Sequence, residues 1–155
     1  MNRVRLLAAL LVLAGSLVAW PAAAAAATTY TLAGIEVDSS PATFVGSLVG
    51  RPGVWKAVVQ HDALSYTGTT TITGGSFTIT TLAPFGQSVG SVDGGTITAG
   101  PVSSPNGFTC TQTFTLGGSL NHGAGSYAGV LTHYGYLGGG RCNALAATFA
   151  GQATL

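Results

Sequence analysis

Charge is what this chain has least of: four carboxylates and five basic residues in 155 positions. Binding to nucleic acid depends on neutralising several phosphates at once. Two of the cations, Arg3 and Arg5, lie at the very start, and Arg51, Lys56 and Arg141 are scattered along the rest. Opposite them stand Glu36, Asp38, Asp62 and Asp93, so residues 28–155 carry three cations against four carboxylates, a formal balance of −1. That composition excludes a nucleic-acid partner. Helix signals are missing too, since no window combines a 3.6-residue apolar period with caps. There is no HExxH metal motif and no phosphate-cradling glycine–lysine loop. His61 and Asp62 are adjacent, so on a strand they face opposite ways and form no simple dyad. Glu36 and Asp38 share a parity, but Asp38 opens a turn that runs through Ser39 and Ser40 to Pro41, which leaves no carboxylate pair placed for glycoside hydrolysis.

Long apolar runs are absent after the first two dozen residues. The run LLAALLVLAGSLVAW follows the two N-terminal arginines and precedes PAAAAAA. A basic start, an apolar stretch and small residues are the parts of a secretory signal peptide. The run is shorter than the roughly 20 residues that span a bilayer. The expectation is a leader over residues 1–27, cut between Ala24 and Ala27, and a single domain over 28–155 that is secreted or held at the cell surface, with no membrane span of its own. Cysteine is scarce as well. Outside the cell, Cys110 and Cys142 are expected to pair. Closing a loop of that length is worth about 3–4 kcal/mol on the chain-entropy account. Two thiolates at this spacing do not make a zinc site, and no metal or cofactor is expected.

What is present is threonine, glycine and short alternating apolar segments. They predict an all-β domain with strands near 30–37, 43–49, 54–61, 68–72, 76–82, 95–99, 108–116, 126–134 and 144–150. TGGS (73–76) and VDGG (92–95) read as hairpin turns. PVSSPNG (101–107) and LGGGR (137–141) read as loops. Eight or nine short strands give a single antiparallel β-barrel or, alternatively, a two-sheet sandwich. Closure suits a chain with few charges, because it leaves no sheet edge to protect. A membrane barrel would need strands of about 9–11 residues, longer than most of these.

The alternation assigns faces. In FTCTQTFTL, Phe108, Cys110, Gln112, Phe114 and Leu116 share one face and four threonines the other. In VWKAVVQHD, Lys56, Gln60 and Asp62 face water, which turns Trp55, Ala57, Val59 and His61 inward. A second stretch repeats this design. GSLVGRPGVWKAVVQH (46–61) aligns without gaps on GSLNHGAGSYAGVLTH (118–133), with six identities in sixteen positions. Trp55 meets Tyr127, and His61 meets His133.

Those four residues are the candidate site. Two inward imidazoles can each tie down a loop by bonding a backbone carbonyl, contact a ligand, or bind a metal if a third ligand such as Glu36 joins them. Trp55 and Tyr127 either fill the core or floor a ligand cavity. His122, in NHGAG, is expected in a solvated turn. Arg141 is expected to pair with a carboxylate or to cover the disulfide.

The stretches GVWKAVVQH and GAGSYAGVLTHYGYLGGGRC resemble small secreted bacterial β-barrel proteins. GAGSYAG is also similar to a motif of the allene oxide cyclase and dirigent type of eight-stranded barrel. That resemblance implies a barrel around an apolar ligand cavity, working as a cyclase or as a guide for radical coupling, with Glu36 as the acidic group. The leading expectation is a non-enzymatic binding or surface-interaction protein that holds a small apolar ligand through Trp55, His61, Tyr127 and His133. The alternative is a cyclase or isomerase that moves a proton with His61, His133 or Glu36.

Overall fold

The computed structural model describes residues 26–155, so the expected leader lies almost wholly outside the described residues. The described residues form eight strands and no helix, and none could cross a membrane as a helix. The strands are β1 (Thr29–Ser39), β2 (Ala42–Val49), β3 (Gly53–His61), β4 (Thr69–Leu82), β5 (Phe85–Ser103), β6 (Thr109–Leu120), β7 (Gly125–Gly138) and β8 (Arg141–Thr154). Each is antiparallel to its neighbours in chain order, and β1 pairs with β8 to close a barrel rather than a sandwich. Thr28 and Leu155 exchange backbone hydrogen bonds of 2.7 and 2.9 Å, which ties the seam at the chain ends.

The nine expected strands become eight because the TGGS pair is not a turn and joins 68–72 to 76–82, and the VDGG pair is not a turn either. TGGS lies inside β4 and VDGG inside β5, and the ladder is interrupted between Ile72↔Gly95 and Gly75↔Val92. Gly74, Gly75 and Gly95 carry positive φ there. Glycines let two long strands bend at a barrel corner without steric cost. The actual turn between β4 and β5 is Ala83–Pro84, between the paired Leu82 and Phe85. Pro101 and Val102 belong to β5, where a bulge between Ala99 and Val102 accommodates the proline. Five of the strands span 12 to 19 residues, so length does not distinguish this barrel from a membrane barrel. Apolar groups fill most of the inside, and the outside carries threonines beside exposed apolar side chains such as Ile35, Val54, Val89 and Val130.

Inside, Phe149 meets Phe44 at 5.8 Å and Trp55 at 5.4 Å between ring centroids. Leu32, Leu48, Phe77, Ile79, Leu116 and Leu120 pack around them. The face assignment for β6 holds over Cys110, Gln112, Phe114 and Leu116, which are 0–4% exposed. It fails at Phe108, 77% exposed, because β6 begins only at Thr109. The Cys110–Cys142 disulfide is formed, and it bridges β6 and β8 past the intervening β7.

The repeated stretches are the β2–β3 and β6–β7 hairpins, and they match in register as well as in sequence. Gly34, Gly46 and Trp55 are successive cross-strand partners on β1, β2 and β3. Gly95, Gly118 and Tyr127 are successive partners on β5, β6 and β7. Each aromatic ring therefore lies across two glycines. Trp55 Nε1 donates to the Ala33 carbonyl at 3.1 Å, and Tyr127 Oη donates to the Gly94 carbonyl at 3.3 Å.

Candidate functional site

The up-and-down order sends the connections 40–41, 62–68, 104–108 and 139–140 to one end of the barrel. That end opens as a mouth of about 690 Å³, lined by Glu36, His61, Tyr66, His133 and Arg141 among others. The volume falls within the range of small-molecule sites.

At this level the inward side chains form a row. Gln112 on β6 pairs with His133 on β7, and His133 pairs with Ala147 on β8. One step past the Ile35↔Thr148 pair, Glu36 on β1 comes level with Ala147. A methyl group at position 147 leaves the space through which His133 and Glu36 meet. Their Nε2 and Oε2 atoms are 3.4 Å apart, with the side chains 7% and 14% exposed. Neither ring nitrogen of His133 makes a hydrogen bond among the described residues. The ring packs on Phe114 at 4.8 Å between centroids.

The inward glutamate runs against local hydrophobicity. Ile35 and Val37, its neighbours, are 50% and 54% exposed. β1 keeps the parity of Tyr30, Leu32 and Gly34 through Glu36, and its bulge comes afterwards, between Glu36 and Asp38. Taking a carboxylate in while two β-branched residues stay out costs stability.

Gln112 is 1% exposed. Its Nε2 donates to the Tyr66 carbonyl at 2.7 Å and the Gly100 carbonyl at 3.0 Å, and two carbonyl partners fix which end of the amide is nitrogen. The buried Thr70 accepts from the Ser65 amide at 2.8 Å. Together they hold the 62–68 connection over the mouth. The ring of Tyr66 stands edge-on to Phe114 at 6.1 Å, and the Arg141 guanidinium lies 5.4 Å above it. Arg141 thus lies over an aromatic ring and, among the described residues, does not pair with a carboxylate as one expectation had it.

The four predicted site residues divide between two spaces. His61 and His133 line the mouth. Trp55 and Tyr127 line a separate, wholly apolar cavity of about 60 Å³ deeper in the barrel. Burial there pushes the Tyr127 phenol up to about 12. His61 ends β3, and its Nδ1 donates to the Asp62 carbonyl at 2.6 Å, the loop-tying role. His133 has no such bond and faces Glu36 instead. No group of three or more metal-ligating side chains forms among the described residues, so His61, His133 and Glu36 do not converge as a metal site.

Sequence reasoning missed Gln112, Tyr66 and Ala147. The parity of β6 placed Gln112 inside, and an inward amide is itself a signal. Ala147 becomes visible only through pairing across strands, and Tyr66 only through the contacts of its connection with Gln112 and Phe114. The sequence also spells G-x-S-x-G over 86–90, but those residues run straight through β5 with Ser88 opposite Ile79 and no helix after them. They form no nucleophile elbow. His122 is exposed in its turn, as expected. Comparison of the chain with protein-family models, with curated proteins and with solved structures gives no match.

Proposed function

We propose that this is a secreted binding protein whose ligand enters the barrel mouth and is met by Glu36, His61 and His133. One observation carries the reading: a glutamate and a histidine are turned inward at the mouth, level with each other, while Ile35 and Val37 stay in water. Such an arrangement opposes stability and is expected where function demands it. The inner cavity, at about 60 Å³, is too small for a drug-sized ligand, so Trp55 and Tyr127 serve as packing. The disulfide suits an oxidising compartment. The packed apolar core differs from the polar lumen of membrane-spanning barrels.

A second reading rests on the same pair. An imidazole 3.4 Å from a carboxylate can take up and return a proton, which would make the mouth a site of isomerisation or cyclisation. Native mass spectrometry of the oxidised chain from its own host tests both, beside Glu36→Gln and His133→Phe. The expected result is an adduct that leaves on denaturation and is absent from His133→Phe. A bare chain in all three samples would rule the binding reading out. Recovery of an adduct chemically changed by wild type but unchanged by Glu36→Gln would favour the enzyme.

A further inference from the structure

We infer that the mouth selects a compact organic acid, its carboxylate at Arg141 and a hydrogen-bond donor at its other end toward Glu36. This rests on the mouth being the binding site. Arg141 opens β8 at the rim, and among the described residues no carboxylate pairs with it. The ring it lies over is nonetheless held from two sides. The guanidinium lies over the Tyr66 ring, the ring stands against Phe114, and the Tyr66 carbonyl is held by the buried Gln112 amide. Among the described residues no hydrogen bond or ion pair occupies the N–H groups of this guanidinium, and such groups match a carboxylate bidentately. Three residues in series, Tyr66, Phe114 and Gln112, placing one cation that has no anion partner among the described residues are more than packing requires.

The opposite side of the mouth asks for a different group. Glu36 is an acceptor when ionised, and the buried His133 beside it has both ring nitrogens without hydrogen bonds. A ligand hydroxyl can donate to Glu36 and accept from His133. The walls between, from Leu64, Tyr66 and the stretch Ala144–Ala147, suit a short apolar body.

The probe is 4-hydroxybenzoate, titrated calorimetrically into the oxidised mature chain. Its neutral isostere 4-hydroxybenzamide tests the charge, and benzoate tests the hydroxyl. 4-Hydroxybenzoate is expected to bind roughly tenfold or more tightly than the amide, and Arg141→Gln is expected to remove that preference. Arg141→Lys should recover part of the affinity, and Tyr66→Leu should weaken it while leaving the charge in place. Equal affinity for acid and amide, or an unchanged affinity in Arg141→Gln, overturns the inference while the mouth remains the binding site. Binding by none of the probes overturns it as well, and the native mass measurement then judges the mouth independently.

Discussion

The β2–β3 and β6–β7 hairpins start from one pattern and end in different chemistry. Both lay an aromatic ring over two glycines and donate from it to a carbonyl two strands away. Both carry a histidine six residues further on, at positions 61 and 133. In the first hairpin the strand stops at that histidine, which bonds the next carbonyl and seals its own strand end. In the second, β7 continues to Gly138, so the histidine is mid-strand, buried beside Phe114 and turned toward Glu36. A few residues of extra strand separate a histidine that ties a loop at the rim from one turned toward Glu36. The deep part of each hairpin is architecture shared by both halves, and the mouth is where the halves are free to differ.

The largest effects should come where the hairpins agree. A Cβ on Gly46 would collide with the Ala33 carbonyl oxygen, and one on Gly118 with the Gly94 carbonyl oxygen. The same carbonyls accept from Trp55 and Tyr127, so the backbone cannot retreat without losing those bonds. Gly46→Ala and Gly118→Ala are each expected to cost about 3 kcal/mol or more, seen as lost near-ultraviolet circular dichroism. If one is tolerated and the other is not, the equivalence of the two ring seats fails. Trp55→Ala removes a ring that is 6% exposed and touches Phe149, with an expected cost of about 3–5 kcal/mol in denaturant unfolding.

Where the hairpins differ, the sign should reverse. Replacing both members of a buried polar pair with apolar side chains of similar size can be neutral or stabilising. Glu36→Leu combined with His133→Leu is therefore expected to raise the unfolding midpoint while abolishing ligand uptake at the mouth. His61→Asn should change stability by no more than about 0.5 kcal/mol, as for a surface substitution. A destabilised double variant would make Glu36 and His133 structural, and the mouth would lose its main claim to function.

The barrel was legible from composition and alternation, because a closed sheet with an apolar inside writes a period of two into most strands. Cys110–Cys142 followed from compartment and number alone. The strand count was not legible, because glycine pairs mark turns in a hairpin and corners in a coiled strand equally well. Only the pairing of β4 with β5 through Ala83–Pro84 separates the two meanings. His61 and His133 could be placed inside from parity, yet their different roles depend on how far each strand runs beyond them. Glu36 was ambiguous for a physical reason: its apolar neighbours Ile35 and Val37 had the better local claim to the interior and did not take it.

A smaller contrast separates the two rings. Tyr127 can ionise and Trp55 cannot. Burial raises the Tyr127 phenol from 10.0 to about 12, so in the folded chain it holds its proton where the unfolded chain gives it up. Its stabilising contribution is whole below the unfolded value and declines as pH rises through about 10 toward 12. Tyr127→Phe is expected to cost about 1 kcal/mol at neutral pH, for the lost bond to the Gly94 carbonyl, and to lose less stability in alkali than wild type. Parallel alkaline curves would mean that the phenol is solvated in the folded chain.

The turns of the two hairpins give the smallest effect, with the opposite pH dependence. The β2–β3 turn uses groups that do not titrate in acid: Pro52, whose carbonyl accepts from the Leu82 amide at 3.0 Å, and Arg51, which lies 5.1 Å over the Tyr30 ring. The β6–β7 turn puts Asn121 and His122 in the left-handed region and relies on a carboxylate to hold them. Asp93 accepts from the Ser91 hydroxyl at 2.7 Å and from the Gly123 amide at 3.0 Å. The Ser91 bond leads the causes that hold its carboxyl below the ordinary 3.8. A carboxyl lowered on folding stabilises above its unfolded value, and that contribution is lost as pH falls through 3.8 toward the folded value. Denaturant midpoints of wild type and Asp93→Asn, taken from pH 5 downward, should therefore converge in acid, with wild type ahead only above the transition. The site is exposed, so the gap is small and should shrink further in high salt. A constant gap at every pH would mean that Asp93 holds the turn by shape alone, and the two turns would then differ in sequence but not in physics.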